Sequence, residues 1–322
     1  MRSRLLSLSS AATAVIGLLL HGALHATSIP APGVLLPTLG GEHRMHLHCK
    51  GSGHPTVILD AGLGGDSLEW VRVQGKLAES TRVCAYDRGG LGWSDAASGP
   101  RTAGRMASDL YRLLNSSVER GPFVLVGHSF SAYTLRIFAR RYPAEVAGMV
   151  LVDPSHEEQV LRFYEATGVN IAPSNSRGQV YYRPELPPNL PEELIRTAQR
   201  LLITDLRVTT TRNELLGFRT SAAQVASAPA MPNVPLLILS RGSNAWPQNE
   251  RGLIMETLWR ELHEDLAERA PMGELRIVPG SGHHIHLEQP ESVIDGIQSV
   301  MEQVLLRERM AGEPTLRRSE IR

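Results

Sequence analysis

A serine lies at the junction of an apolar run and a helical pattern, which is the setting that a nucleophilic serine requires. The apolar residues 123–126 lead into Gly-His-Ser-Phe-Ser at 127–131, and a pattern of helical periodicity follows at once. Such a strand–turn–helix junction holds the serine on a sharp bend and lifts its Oγ clear of the sheet. The second small position is Ser131 rather than the usual glycine, and Ser129 is the candidate nucleophile.

A serine hydroxyl is a weak nucleophile near neutral pH, so this chemistry needs further groups. A base must lie within hydrogen-bond reach of the hydroxyl, and a carboxylate must orient the base. Two backbone N–H groups must also point to the place where negative charge develops on the substrate. The rest of the chain has to supply a base, an acid and an oxyanion hole.

Short apolar runs alternate with helical patterns along most of the chain, and this alternation predicts a parallel α/β sheet. The predicted strands lie at residues 42–49, 56–60, 81–87, 123–126, 149–152, 235–239 and 275–278. The predicted helices that alternate with these strands include residues 70–78, 102–114 and 291–306.

One long segment interrupts this alternation. Between Val152 and Pro235 no strand-like run occurs, and helical patterns lie at 191–202 and 206–218. Structureless loops of this length are rare in compact domains. We therefore predict an inserted helical unit over residues 155–232.

Composition excludes several classes of protein. The chain has 322 residues, 42% of them hydrophobic, which is enough for a full core. Its formal net charge is zero, so no basic field attracts nucleic acid. Zinc-type spacing of cysteine and histidine does not occur, and we expect neither a metal nor an organic cofactor.

The N-terminus has the pattern of an export signal. Arg2 and Arg4 precede an apolar stretch at 11–20, and Ala-Leu-His-Ala at 23–26 offers the small residues that a signal peptidase reads. We predict that residues 1–28 are a signal peptide, with a retained membrane anchor as the alternative. The apolar core is too short to span a bilayer comfortably. An exported protein without a membrane span after cleavage is expected.

The chain has two cysteines, Cys49 and Cys84. An even number of cysteines in a chain with an export signal favours a disulfide, and two buried free thiols are the alternative.

Four blocks of the sequence resemble the α/β-hydrolase fold family over about residues 40–306. They are the strand and Gly-rich loop at 59–65, Tyr-Asp-Arg-Gly-Gly-Leu-Gly-Trp-Ser at 86–94, the serine junction at 127–131, and Gly-His-His-Ile-His-Leu-Glu-Gln-Pro at 282–290. The resemblance implies a mostly parallel central sheet flanked by helices. The implied division is a core of residues 29–154 and 233–306, a helical cap at 155–232 and a flexible tail at 307–322.

The resemblance also implies the order serine, acid, histidine. His283 is the implied base. His284 and His286 are its neighbours, and a slip of one residue would make His284 the base instead. The family places its acid after the sixth or the seventh main strand. No carboxylate follows the seventh strand until Glu250, whereas Asp153 lies at the carboxyl end of the sixth, where sites in parallel sheets are built. We predict Asp153 as the acid, with Glu250 as the alternative.

Two backbone groups complete the implied site. The N–H of Phe130 is one oxyanion donor, and the N–H of Leu63 is the other, with Gly64 as the next candidate. Asp87 and Arg88 are implied to form a structural turn that ties loops beneath the site. The resemblance also implies that the strand at 43–49 lies next to the strand at 81–87, which places the two cysteines on adjacent strands.

The resulting hypothesis is a serine hydrolase that cleaves a carboxylic ester or related small acyl substrate through an acyl-enzyme. The same residues would also serve an acyltransferase, a peptidase, a lactonase or a perhydrolase. A ligand-binding protein that keeps the pocket for sensing is the alternative from another class. Epoxide hydrolases and dehalogenases of this fold use an aspartate nucleophile, and Ser129 argues against both.

Overall fold

The structure is a computed structural model, and it describes residues 31–38, 40, 43–169, 186 and 190–312. The predicted signal peptide or anchor at 1–28 lies outside the described residues. Residues 313–322 of the predicted tail lie outside them as well.

Eight strands form one sheet in the described part of the chain. They are β1 (Val34–Pro37), β2 (Arg44–Lys50), β3 (Val57–Asp60), β4 (Val83–Tyr86), β5 (Phe123–His128), β6 (Val146–Val152), β7 (Leu236–Arg241) and β8 (Gly273–Val278). Their order in the sheet is β1-β2-β4-β3-β5-β6-β7-β8. Strand β2 runs antiparallel to both of its neighbours, and all other pairs are parallel.

The central strands are buried on both faces, which is why their sequences are continuous apolar runs rather than alternating ones. Strand β1 was not among the predicted strands. It is a short edge strand whose three apolar residues, Val34 to Leu36, are mostly exposed and are followed at once by a proline, which makes it resemble a loop rather than a buried strand.

Helices cover both faces of the sheet. They are α1 (Val71–Leu77), α2 (Ala103–Ser116), α3 (Ser131–Arg141), α4 (Gln159–Thr167), α5 (Glu192–Leu202), α6 (Asp205–Ala226), α7 (Glu250–Glu268), α8 (Ile285–Glu288) and α9 (Pro290–Gly312), with short 3₁₀ helices at Ser67–Trp70 and Pro143–Glu145. Helices α2 and α3 and the end of α7 pack on one face, and α1 and α9 pack on the other. The fold is thus a mostly parallel sheet between two helical layers, as expected.

The helices differ from the predictions in several details, and the short helices α4 and α8 were not predicted. Helix α9 continues to Gly312, so the first six residues of the predicted tail at 307–322 are helical. Helix α7 was not predicted, although it buries Met255, Trp259, Leu262 and Leu266 at helical spacing. Helix α6 extends to Ala226, beyond the predicted end at residue 218. Among the described helices, none combines the length and the apolar character needed to cross a membrane.

The predicted cap region at 155–232 contains α4, α5 and α6 among its described residues. Helix α6 packs on α2 and α3, and α4 packs on α7. Helix α6 therefore packs on the helical layer of the core, and its Glu214 also reaches the Gly-rich loop after β3.

A disulfide joins Cys49 to Cys84. The two residues are direct partners in the antiparallel pairing of β2 with β4. The bridge therefore links β2, in the outer part of the sheet, to β4. Strand β4 in turn pairs with β3, which leads into the Gly-rich loop.

Removing this bridge is expected to lower the free energy of unfolding. A double Cys49→Ala, Cys84→Ala variant frees a loop with a sequence separation of 35 residues. The chain-entropy treatment of such a loop gives a loss of about 3–4 kcal/mol. Urea denaturation with and without reductant measures it, and a wild-type midpoint that reductant leaves unchanged would contradict the expectation.

Candidate active site

Ser129 lies on the bend between β5 and α3 in a left-handed backbone conformation, with φ of +52°. Residues other than glycine rarely adopt this region, and they keep it only where the surroundings enforce it. The Ser129 N–H donates to the Val152 carbonyl at 3.0 Å, and its own carbonyl accepts from the Ser155 N–H at 3.0 Å. Among the described non-glycine residues, only Ser129 and Asp153 have a positive φ.

The small residues around the serine allow the tight bend. A Cβ at Gly127 would crowd the Ser131 Oγ and the Leu135 Cδ1, so a larger residue there would force these two side chains to shift. The Ser131 hydroxyl lies 2.9 Å from the His128 carbonyl and 3.2 Å from the Asp60 carbonyl. Serine is accommodated in place of the usual glycine because its hydroxyl finds backbone acceptors in the bend and at the end of β3.

The side chains of Ser129, His283 and Asp153 meet in one hydrogen-bonded chain. The His283 Nε2 lies 3.0 Å from the Ser129 Oγ, and the His283 Nδ1 lies 2.6 Å from the Asp153 Oδ2. A carboxylate accepts from Nδ1–H, which leaves the Nε2 lone pair facing the hydroxyl. Asp153 is fully buried, whereas the His283 side chain is 32% exposed and within reach of a substrate. Glu250, the alternative acid, is the exposed first residue of α7.

Asp153 is surrounded by donors. Its Oδ1 accepts from the Arg241 backbone N–H at 3.0 Å and from the Trp259 Nε1–H at 3.1 Å, and its Oδ2 also accepts from the Arg241 guanidinium at 2.8 Å. Burial by itself would raise the pKa of Asp153, but the hydrogen bond and charge of His283, with the charges of His263 and Arg241, lower it well below its usual value. The carboxylate is therefore ionised at neutral pH.

Arg241 and Trp259 were not among the predicted site residues. Arg241 ends β7, at the place where the sequence offers no carboxylate, and a charged residue at the end of a parallel strand is a usable signal. Its guanidinium also contacts Glu256 at 3.2 Å and lies 4.8 Å from the Trp259 ring centroid. Trp259 lies in the middle of α7, and no local pattern connects it with Asp153.

The Gly-rich loop after β3 narrows the choice of oxyanion donor. The Gly64 N–H donates to the Glu214 Oε2 at 2.8 Å, so this N–H is already engaged by a buried carboxylate of α6. Of the two loop residues considered, Leu63 therefore remains the better candidate. Phe130 is buried directly after the serine, and its ring stacks on Phe218 of α6 with centroids 5.8 Å apart.

Arg88 fastens the Gly-rich loop from below. Its buried guanidinium contacts Asp60 at 2.8 Å and Glu214 at 2.7 Å, and it donates to the carbonyls of Ala61 and Gly62 at 2.6 Å each. One side chain thus joins the end of β3, the loop and α6. This contact set fits a structural role for Arg88 rather than one in the reaction.

Asp87 has a similar place in the structure. It is fully buried and accepts from the backbone N–H groups of Ser67 at 2.7 Å and Trp93 at 2.9 Å. The turn at 87–88 therefore holds neighbouring loops together.

Replacing Arg88 by methionine is expected to lower the free energy of unfolding by about 3–5 kcal/mol, because two buried carboxylates lose their cation. The matched control is Arg44→Met, since Arg44 pairs with Asp95 at the surface and its loss should have a much smaller effect. Urea denaturation of both variants measures the difference. Equal losses would contradict the structural role of Arg88.

A groove of about 600 Å³ lies between α4 and α6. Its lining includes Leu161, Tyr164 and Arg219, and none of the residues that line it belongs to the Ser129–His283–Asp153 chain. A substrate pocket has to open on the Ser129 Oγ, so we do not assign this groove to the substrate.

The sequence model of the Alpha/beta hydrolase family matches residues 57–295. The chain therefore belongs to the alpha/beta hydrolase family. It is 24% identical over 247 residues to the uncharacterized protein YqjL of Bacillus subtilis, an alignment that covers 76% of this chain and 83% of that protein. In several other curated relatives the match spans only 18 to 34% of the relative's length.

Solved structures share the fold. A thermophilic esterase from Thermogutta terrifontis superposes with a TM-score of 0.54 at 24% identity, covering 85% of this chain and 99% of the esterase. The epoxide hydrolase CorEH superposes with a TM-score of 0.59 at 22% identity, covering 81% of this chain and 96% of that enzyme. At these identities the likeness concerns the fold alone.

Proposed function

We propose that this protein is a serine hydrolase that cleaves carboxylic esters or related small acyl substrates. One observation carries the proposal: the His283 ring bridges the Ser129 Oγ at 3.0 Å and the Asp153 Oδ2 at 2.6 Å. A hydroxyl, an imidazole and a buried carboxylate in this order are what acyl transfer by a serine needs.

The reaction follows from the positions of these groups. Ser129 Oγ attacks the acyl carbon while the His283 Nε2 takes its proton, and Asp153 stabilises the imidazolium that forms. The N–H groups of Phe130 and Leu63 bind the oxyanion. His283 then returns the proton to the leaving alcohol, and a water molecule activated by the same imidazole hydrolyses the acyl-enzyme.

The identity of the residue on the bend also favours ester hydrolysis over epoxide hydrolysis. Epoxide hydrolases of this fold attack with an aspartate, whereas this chain has Ser129 at that position. A hydroxyl with a neighbouring base favours an acyl substrate, although an epoxide hydrolase is among the proteins that share the fold.

A fluorophosphonate probe together with a series of p-nitrophenyl esters tests the proposal. We expect stoichiometric labelling of Ser129, located by peptide mass spectrometry, and turnover of p-nitrophenyl acetate that labelling abolishes. Comparison of acyl chain lengths then defines the substrate class. Labelling without turnover would favour a ligand-binding role, and absence of both would exclude the proposed chemistry.

We also propose that the protein is exported. The Cys49–Cys84 disulfide supports this, since such bridges persist mainly in oxidising compartments. Fractionation of expressing cells, with the mass of the mature chain, tests it: a full-length chain in the cytosol would contradict export.

A further inference from the structure

A second cluster of polar side chains lies behind the serine bend and takes no part in the proposed reaction. It consists of Glu69, His128 and His286, each of which offers one ligand atom within 4.8 Å of the other two. His128 and His286 are buried, and Glu69 is partly buried. The three come from separate parts of the chain: a 3₁₀ helix after the Gly-rich loop, the end of β5, and α8.

The hydrogen bonding of His128 determines which of its nitrogens carries the proton. The His128 Nε2 lies 3.0 Å from the His283 carbonyl oxygen. A carbonyl only accepts, so Nε2 must carry the proton and Nδ1 must present a lone pair. This Nδ1 is buried and has no hydrogen-bond partner among the described residues. An imidazole that donates one N–H to a backbone carbonyl and offers its other nitrogen is the usual arrangement of a metal-binding histidine.

The other two members also have unused ligand atoms. Both ring nitrogens of His286 are buried and without a hydrogen-bond partner in the described part of the chain, as is the Glu69 Oε2. The His286 Nε2 lies 3.7 Å from the Glu69 Oε2, within ion-pair range but beyond hydrogen-bond distance. The His286 ring is held against the Trp70 ring with centroids 4.5 Å apart. Buried polar atoms of this kind are costly unless something binds them.

We propose that Glu69, His128 and His286 bind a divalent transition metal ion of the zinc type. Two imidazoles and one carboxylate are a donor set that zinc accepts, with its remaining position open to water. Two ligands about 2.1 Å from one zinc ion lie no more than about 4.2 Å apart, so binding draws the more distant atoms inward by roughly half an ångström. The Glu69 Oε2 and the His286 Nε2 are already 3.7 Å apart, so the adjustment concerns the remaining pairs of ligand atoms.

The ion would be a structural one. Both nitrogens of His283 are engaged by Ser129 and Asp153, so His283 is not available as a ligand. The metal would instead join the bend that carries the nucleophile to α8, which directly follows the His283 loop. Its expected effect is to stabilise the relative positions of that loop and the bend.

Titration of untagged, chelator-treated protein with Co²⁺ tests the site, because tetrahedral cobalt gives visible absorption bands that need no enzyme activity. We expect one equivalent of Co²⁺ per chain, displaced by Zn²⁺, and a rise in the midpoint of thermal unfolding with Zn²⁺. Glu69→Gln and His286→Asn should each weaken binding by about 100-fold or more, since each removes a direct ligand and loss of an outer-shell partner alone costs about 10–100-fold.

His54→Asn is the matched control, because His54 is an exposed histidine that pairs with Glu308 and precedes β3, at the opposite end of that strand from the Gly-rich loop. It should bind cobalt as the wild type does. Glu69→Gln keeps the shape of a partly exposed side chain, so it remains informative if His286→Asn does not fold. Absence of a stoichiometric cobalt spectrum, or equal binding by the wild type and Glu69→Gln, would overturn the proposal.

Discussion

Replacing Ser129 by alanine is expected to reduce ester turnover by at least about 10⁴-fold, because the attacking oxygen is lost while the oxyanion donors remain. Alanine can occupy the same bend, which is fixed by backbone hydrogen bonds to Val152 and Ser155. The fold should therefore persist, and circular dichroism with urea denaturation checks this. Initial rates with p-nitrophenyl acetate measure the effect.

The control for this variant is Ser227→Ala, which removes an exposed hydroxyl at the end of α6. Its kcat/KM should equal that of the wild type. A folded Ser129→Ala protein that keeps more than about a tenth of the wild-type rate would contradict nucleophilic attack by Ser129.

Replacing Asp153 by asparagine is expected to lower kcat by about 10⁴-fold, because an amide favours the wrong tautomer of His283. The stability should fall as well. Both carboxylate oxygens of Asp153 accept hydrogen bonds from charged or N–H donors, and an amide NH₂ would face donors of Arg241 or Trp259 instead. Rates and urea midpoints of the same preparation measure the two effects.

Glu250→Gln is the matched control for this variant, since it makes the same carboxylate-to-amide change at the alternative acid. Glu250 is exposed at the start of α7, and its replacement should leave both rate and stability unchanged. If Glu250→Gln were inactive and Asp153→Asn active, the assignment of the acid would be wrong.

Local sequence was sufficient for those parts of the fold whose pattern reflects their own burial. The continuous apolar runs of β3, β4 and β5 identify central strands because both of their faces are covered. Strand β1 also has a short apolar run, but it lies exposed at the edge of the sheet and ends in a proline, so its sequence did not reveal a strand. The helical spacing of buried residues in α7 was present in the sequence but interrupted by the exposed Leu253 and Ile254.

The sequence by itself determined the candidate nucleophile, since a serine on a strand-to-helix bend is a local feature with a chemical meaning. The candidate base, His283, came from the resemblance of the 282–290 block to the α/β-hydrolase family. The sequence also left two possible acids. Only the tertiary structure decided that Asp153 contacts His283, that Arg241 and Trp259 hold that carboxylate, and that Glu214 engages the Gly64 N–H. These contacts join residues that are 88 to 150 positions apart in the sequence. Whether such residues meet depends on how the helices pack on the sheet, which no local sequence pattern reveals.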